Sequence, residues 1–208
     1  MKKLILVGAF IETIELAQRL KFPIAGYSDN NEKTKAQHGL TCLGDDRSII
    51  ESREELLHEN LIFVTPDQPK VRERLFNEYK IAGFRFADLI SEYANISDSV
   101  SMEGSSSIMV QDLVNISSNV EIGKAVRINT GANIMHDCKL GDFITIAPNA
   151  VLLGGVKVEH GAYIGANATV LPGVNIGQNA IVGAGAVVTK DVQSNITVVG
   201  VPAMVLKK

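Results

Sequence analysis

Counting in sixes from Ile122 lands on a branched aliphatic residue every time: Ile128, Ile134, Leu140, Ile146, Leu152, Val158, Ile164, Val170, Ile176, Val182 and Val188. Four places after each aliphatic the residue is apolar and mostly small, from Val126 and Ala132 to Ala186 and Val192. Three places after each aliphatic comes a column of mainly Gly, Asn and Asp, including Gly131, Asp137, Asn149, Gly155, Asn167, Asn179 and Asp191. Those residue types tolerate positive φ, so they suit tight corners. A period this strict is the mark of a solenoid. Short strands meet at corners, and each coil buries its aliphatics against the coils above and below. An earlier and weaker run, Ile96, Met102, Ile108, Val114 and Val120, is out of phase by two residues. That offset predicts an irregular corner near 115–121.

The first part of the chain follows a different grammar. "LILVG" (4–8) is a continuous apolar run, as expected of a buried parallel strand. Residues 24–30 and 61–64 read as further strands. Residues 11–20, 48–59 and 68–79 carry helical spacing. The order β-α-β-α-β predicts a small doubly wound, Rossmann-like sheet. Ligands of such sheets sit beyond the carboxyl ends of the strands. Those ends carry Gly8, Ala9 and Phe10, then Asp29 and Asn30, then Thr65. The change of grammar divides the chain into 1–92 and 93–208.

Composition excludes little but is consistent. The chain is 46% hydrophobic and 21% charged, with a formal net charge of −3. Nothing in that balance argues for nucleic acid or for a membrane surface. The start "MKKLILVGAF" reads as a first strand rather than a signal peptide, because "IETIE" follows at once. No apolar stretch reaches the roughly 18 residues of a membrane span. Two cysteines, Cys42 and Cys138, form no metal or disulfide pattern, and the expectation is a reducing cytoplasm.

One stretch of the repeat breaks its monotony. "GANIMHDCKLGD" (131–142) places His136 and Asp137 side by side. The third position of each unit points outward, so core packing does not explain His136. The period resembles that of a β-helix with three hexapeptides to a coil, which would place Gly154 one coil later, 18 residues on. Coils stack roughly 4.8 Å apart. A neighbour without a side chain would leave a slot where a ligand meets the imidazole and a backbone N–H together. A surface histidine can also be inert, and Asp137 fits the turn column on conformation alone.

The six-residue pattern over about 96–192 resembles the left-handed parallel β-helix, in which three hexapeptides close one triangular coil. With "LGDDRSI" (43–49), "YSDNN" (27–31), "INTGANIMHDCKLGDF" and "VVGVPA", nearly the whole chain resembles the bacterial hexapeptide-repeat sugar acetyltransferases. Members N-acetylate 4-amino-4,6-dideoxy sugars on nucleotide carriers, and close relatives O-acetylate sialic acids. The resemblance implies acetyl-CoA as co-substrate with no metal, and a homotrimer with the coenzyme in the cleft between neighbouring solenoids. It implies a nucleotide-sugar acceptor held by 1–92, at Gly8, Ala9, Phe10, Asp29, Asn30 and Thr65. It implies His136 as general base, Asp137 as its carboxylate partner and Gly154 as the donor to the thioester oxygen. Thr145, Ala166 and Ala184 match positions beside the coenzyme, although Thr145 stands where some members have a second histidine.

Departures are concentrated at the start. The family's glycine-rich turn after the first strand reads "GAFIETIE" here, so Phe10 and Ile11 replace small residues. Cys138 falls in the small inward column and is expected to be core rather than a nucleophile. Two alternatives remain. Related solenoids include zinc hydratases with three histidine ligands, but this chain has only His38, His58, His136 and His160. The other is a non-catalytic trimeric binding protein whose nucleotide domain has drifted.

Overall fold

The computed structural model describes residues 2–29, 36–37 and 39–206. The chain forms two compact units, one of 1–67 with 71–89 and one of 68–70 with 90–208.

The first unit is built on β1 (Lys3–Val7), whose last four residues are buried. After it come α1 (Ile11–Arg19), β2 (Ile24–Ser28), β3 (Ala36–Gln37) and β4 (Leu40–Thr41). Then come α2 (Asp46–Glu51), α3 (Arg53–Leu56), β5 (Asn60–Val64) and α4 (Pro69–Ile81). The parallel sheet has the order β2-β1-β5, with Leu6 beside Tyr27 and Phe63. Proline opens α4, where its missing N–H costs nothing.

Two details differ from expectation. The helix expected over 48–59 is two pieces, divided at Ser52, whose ψ of 14° leaves the helical region. It also starts earlier, because Asp45 caps it by accepting the Ser48 N–H at 2.7 Å. The short antiparallel pair β3–β4 carries no alternating pattern that would reveal it in the sequence.

The second unit is a parallel β-helix with three faces. The first face stacks Asn115–Ile116, Asn133–Ile134, Val151–Leu152, Thr169–Val170 and Val187–Val188. The second stacks Glu121–Ile122, Lys139–Leu140, Lys157–Val158 and Asn175–Ile176. The third includes Met109–Val110, Arg127–Ile128, Thr145–Ile146, Tyr163–Ile164 and Ile181–Val182. It ends with Thr197–Val199, which pairs antiparallel with Met204–Val205. Both aliphatic columns of the repeat, from Ile122 to Val192, are buried in one continuous core.

The corners follow the third column of the sequence. Every sixth residue from Ser107 to Gly185 has positive φ, including Asn119 at 58°, Asp137 at 62° and Asn149 at 58°. The column holds even for Phe143, at 58°.

The irregular corner is not at 115–121. Asn95 pairs with Asn115 and Ser101 with Glu121, each a step of 20 residues, whereas Asn115 to Asn133 is already the regular step. The two extra residues therefore lie between Ser101 and Met109, in the segment Glu103–Ser107. Val114 and Val120 belong to the small column of a phase that already runs through Val110 and Ile116. A second irregularity closes the solenoid. Ile176 pairs with Val192 and Ile181 with Thr197, each a step of 16 residues. Asp191 accordingly leaves the turn column, and Asn195 takes the positive φ, 62°.

Candidate active site

His136 and Asp137 occupy the edge where the first face turns into the second, between the strands Asn133–Ile134 and Lys139–Leu140. The left-handed backbone at Asp137 folds its carboxylate back toward its predecessor. Asp137 Oδ2 lies 2.7 Å from His136 Nδ1. An ionised carboxylate only accepts, so Nδ1 is the donor of this contact, and in the neutral ring Nε2 keeps its lone pair. The other carboxylate oxygen, Oδ1, accepts from Asn119 Nδ2 at 3.2 Å, one coil below. The His136 hydrogen bond, and then that of Asn119, hold the Asp137 carboxyl below the usual aspartate range. Both catalytic candidates are open to solvent, with side chains 60% and 57% exposed.

Gly154 sits directly above the imidazole. A β-carbon added to Gly154 would fall 2.6 Å from His136 Cε1 and 2.7 Å from Nε2. The slot expected beside His136 is therefore taken up by the ring itself, which rests on the bare backbone. Glycine is required at this position by space, not by a left-handed φ.

The third column also reveals a set of backbone donors. Its N–H groups stand outside the inter-coil ladder. Lys124 N–H is satisfied by Asp142 Oδ1 at 2.8 Å, Thr130 N–H by Gln111 Oε1 at 2.9 Å and Gln178 N–H by Glu159 Oε2 at 3.0 Å. Proline, which has no N–H, fills Pro148 and Pro172. Like those of His136, Asp142 and Lys190, the N–H groups of Gly154, Ala166 and Ala184 have no hydrogen-bond partner among the described residues.

Those three donors do not share one edge. Gly154 is with His136, while Ala166 and Ala184 follow Tyr163–Ile164 and Ile181–Val182, where the third face turns into the first. The first face runs between the two edges. Thr145 is brought to neither edge. It lies within a strand of the third face and is fully buried. Cys138 is also buried; its thiol lies 3.2 Å from the Leu153 carbonyl oxygen, and burial pushes its pKa up. It is core, as its column implies, and no nucleophile.

In the first unit, the loop after β1 and the loop after β5 meet. Gly8 has φ of 95°, and a β-carbon there would lie 2.5 Å from Thr65 Oγ1. Thr65 is fully buried and its hydroxyl donates to the Val7 carbonyl at 2.6 Å. Thr65 thus closes the strand end from inside. Gly8 and Ala9 are half-buried, and Phe10 is exposed at the start of α1. Asp29 is half-buried and its N–H donates to the Gly44 carbonyl oxygen at 3.0 Å. Asn30 lies outside the described residues, as does His38. Asp46, in the "LGDDRSI" stretch, accepts from Ser28 Oγ at 2.7 Å and from Tyr79 Oη at 3.0 Å. Burial raises the Tyr79 pKa, so this donor keeps its proton.

Asn119, which reading the sequence did not single out, is brought against Asp137 at the His136 edge. Its signal was present: it stands one coil before Asp137 in the turn column. Placing the phase break at 115–121 hid it. No three His, Cys, Asp or Glu side chains gather as a metal site among the described residues.

A fold of stacked hexapeptides with a histidine–carboxylate pair at one edge is what a hexapeptide-repeat acyltransferase requires. Residues 155–190 match the family model for the hexapeptide repeat of succinyl-transferase. No curated protein sequence is significantly similar to the chain. Solved structures are. A histidine mutant of perosamine N-acetyltransferase from Caulobacter crescentus, in complex with CoA and GDP-perosamine, is 31% identical over 100% of this chain and 98% of its own, with TM-score 0.93. The acetyltransferase domain of PglB from Neisseria gonorrhoeae, in complex with acetyl coenzyme A, is 25% identical over 99% of each chain, with TM-score 0.89. WeeI from Acinetobacter baumannii is 28% identical over 99% of this chain and 100% of its own, with TM-score 0.88. The repeat and the parallel strands fit a left-handed β-helix. The chain belongs to the hexapeptide-repeat sugar acetyltransferase family and is an acetyl-CoA-dependent acyltransferase.

Proposed function

We propose that the chain acetylates the amino group of a nucleotide-linked 4-amino-4,6-dideoxy sugar in bacterial surface-glycan biosynthesis, with His136 as general base. The observation that carries the reading is the 2.7 Å contact between His136 Nδ1 and Asp137, made while the ring lies on Gly154. It leaves Nε2 as the basic nitrogen and puts a free backbone N–H nearby. Neighbours solved with CoA and GDP-perosamine support the substrate class.

The acceptor nitrogen attacks the thioester carbonyl carbon. His136 Nε2 takes the proton that the nitrogen loses. Asp137 keeps the ring in the required tautomer and stabilises the imidazolium. The Gly154 N–H donates to the oxygen that gains negative charge. The carbon–sulfur bond then breaks, and the proton held by His136 passes to the departing sulfur. The N–H groups of Ala166 and Ala184 are free to hold the amide-bearing arm of the coenzyme. They border the far side of the first face, so a homotrimer with the coenzyme between neighbouring solenoids accounts for their use with His136. In this reading residues 1–89 are a Rossmann-like acceptor domain with Gly8, Ala9, Phe10 and Asp29 at its binding end. The enzyme works in the cytoplasm, where acetyl-CoA is made.

The test is release of free thiol from acetyl-CoA in the presence of GDP-, UDP- and dTDP-linked 4-amino sugars, with sialic acids alongside. Turnover with an amino sugar is expected. Turnover confined to a hydroxyl acceptor would overturn N-acetylation in favour of O-acetylation.

A further inference from the structure

We infer that Asn119 is a positioning residue for the acetyl transfer, acting on His136 through Asp137. The inference rests on the reading of His136 as general base.

Asn119 and Asp137 occupy the same edge one coil apart, and both have left-handed backbone, at φ 58° and 62°. Their register is fixed by the backbone, since Asp137 N–H donates to the Ser118 carbonyl oxygen at 2.9 Å. Asn119 is held in turn from below, where its N–H donates to Ser99 Oγ at 3.0 Å. Its side-chain Nδ2 donates to Asp137 Oδ1 at 3.2 Å.

That bond matters because of what an aspartate lacks. The terminal torsion of a carboxylate is broad and roughly two-fold, so one hydrogen bond from a neighbouring ring does not fix its plane. Asp137 is open to solvent, and water competes for both of its oxygens. With Oδ1 anchored by Asn119, Oδ2 is turned toward His136 Nδ1. Gly154 bounds the other side of the ring. The imidazole is thus held between a carboxylate braced by Asn119 and the bare backbone at Gly154. Asn119 touches neither the ring nor the reacting atoms, and its effect is on the fraction of time Nε2 is correctly aimed.

The chosen variant is Asn119→Gly, because glycine keeps the left-handed corner without strain and removes only the amide. Asn119→Asp is its companion: same shape, no donor. Asn179→Gly is the structural control. Asn179 has φ of 55° in the same column, and its side chain donates to Asn195 Oδ1 at 3.3 Å. The readouts are kcat, KM for acetyl-CoA, and melting temperature, with His136→Ala run in the same assay. We expect Asn119→Gly to lower kcat on the order of five-fold, the size of one net hydrogen bond. KM should hold, and Asn119→Asp should not restore the rate. Asn179→Gly should shift melting only. If Asn119→Gly keeps full kcat while His136→Ala is inactive, the positioning role is overturned and the base assignment stands. If His136→Ala retains its rate, the base assignment itself has failed. If Asn119→Gly and Asn179→Gly lose rate equally, the role is structural and the inference is overturned.

Discussion

At the scale of single residues, the site depends on a missing side chain as much as on those present. Gly154 has ordinary backbone and is glycine only because the His136 ring lies where its β-carbon would be. Gly154→Ala should therefore leave melting nearly unchanged while lowering kcat at least ten-fold, as the ring is pushed off line. A variant with full kcat would remove Gly154 from the site. Asp137 offers a second test. Its carboxyl titrates below the ordinary range, chiefly because of His136. A carboxyl with a lowered folded pKa contributes stability above its unfolded value and loses it as pH falls through the folded one. His136→Ala should move the Asp137 titration upward, as read by carboxyl NMR; an unmoved titration would contradict the contact. How much of this was legible beforehand differs by residue. The closeness of His136 and Gly154 is what the resemblance to an 18-residue coil implies, and the structure has it; the pairing of Asp137 with His136 was expected from the family resemblance. The burial of Thr65 and Thr145 does not, since a threonine reads the same inside and outside.

Among elements, the short strands stabilise one another by stacking rather than by length. Each contributes one large inward aliphatic, and the next corner contributes a small one. Ile164 is fully buried in this stack, between Ile146 and Val182. Ile164→Ala should cost about 2–5 kcal/mol by denaturant melting, the range for a large-to-small change in a tight core. A cost below 1 kcal/mol would mean the coils are not closely packed. The aliphatic columns were legible because twofold burial leaves no polar alternative. The two irregular coils were less so. Val114 and Val120 are apolar enough for either column, and the chain inserts its two extra residues in "EGSSS", which has no aliphatic to mark phase. The break at Ser52 was invisible for another reason: the amphipathic spacing continues across it, while the backbone turns.

The whole solenoid is quasi-one-dimensional, since each coil touches only its neighbours. Removing residues 163–180, one full coil, should leave every remaining strand in register with a new partner. That variant should still melt cooperatively, with the strand signal of the parent in circular dichroism. Removing only 163–165, half a hexapeptide, turns the inward columns of the following coils outward and should abolish the cooperative transition. Equal behaviour of the two deletions would contradict a stacked three-faced coil. At the edges the third-column N–H groups stand outside the ladder. Lys124 and Gln178 meet theirs with carboxylates and Thr130 with a glutamine. In the proposed reading, Gly154, Ala166 and Ala184 offer theirs to a substrate.

The measurement that tests the central claim most directly is the turnover number of His136→Ala beside the parent protein. Both should be saturated with acetyl-CoA and an accepted amino sugar, and both shown to be folded and to bind the coenzyme. The account predicts a fall of roughly 10²-fold or more in thiol release, as expected for loss of a general base. A folded His136→Ala protein that binds acetyl-CoA and turns over at close to the parent rate would contradict it.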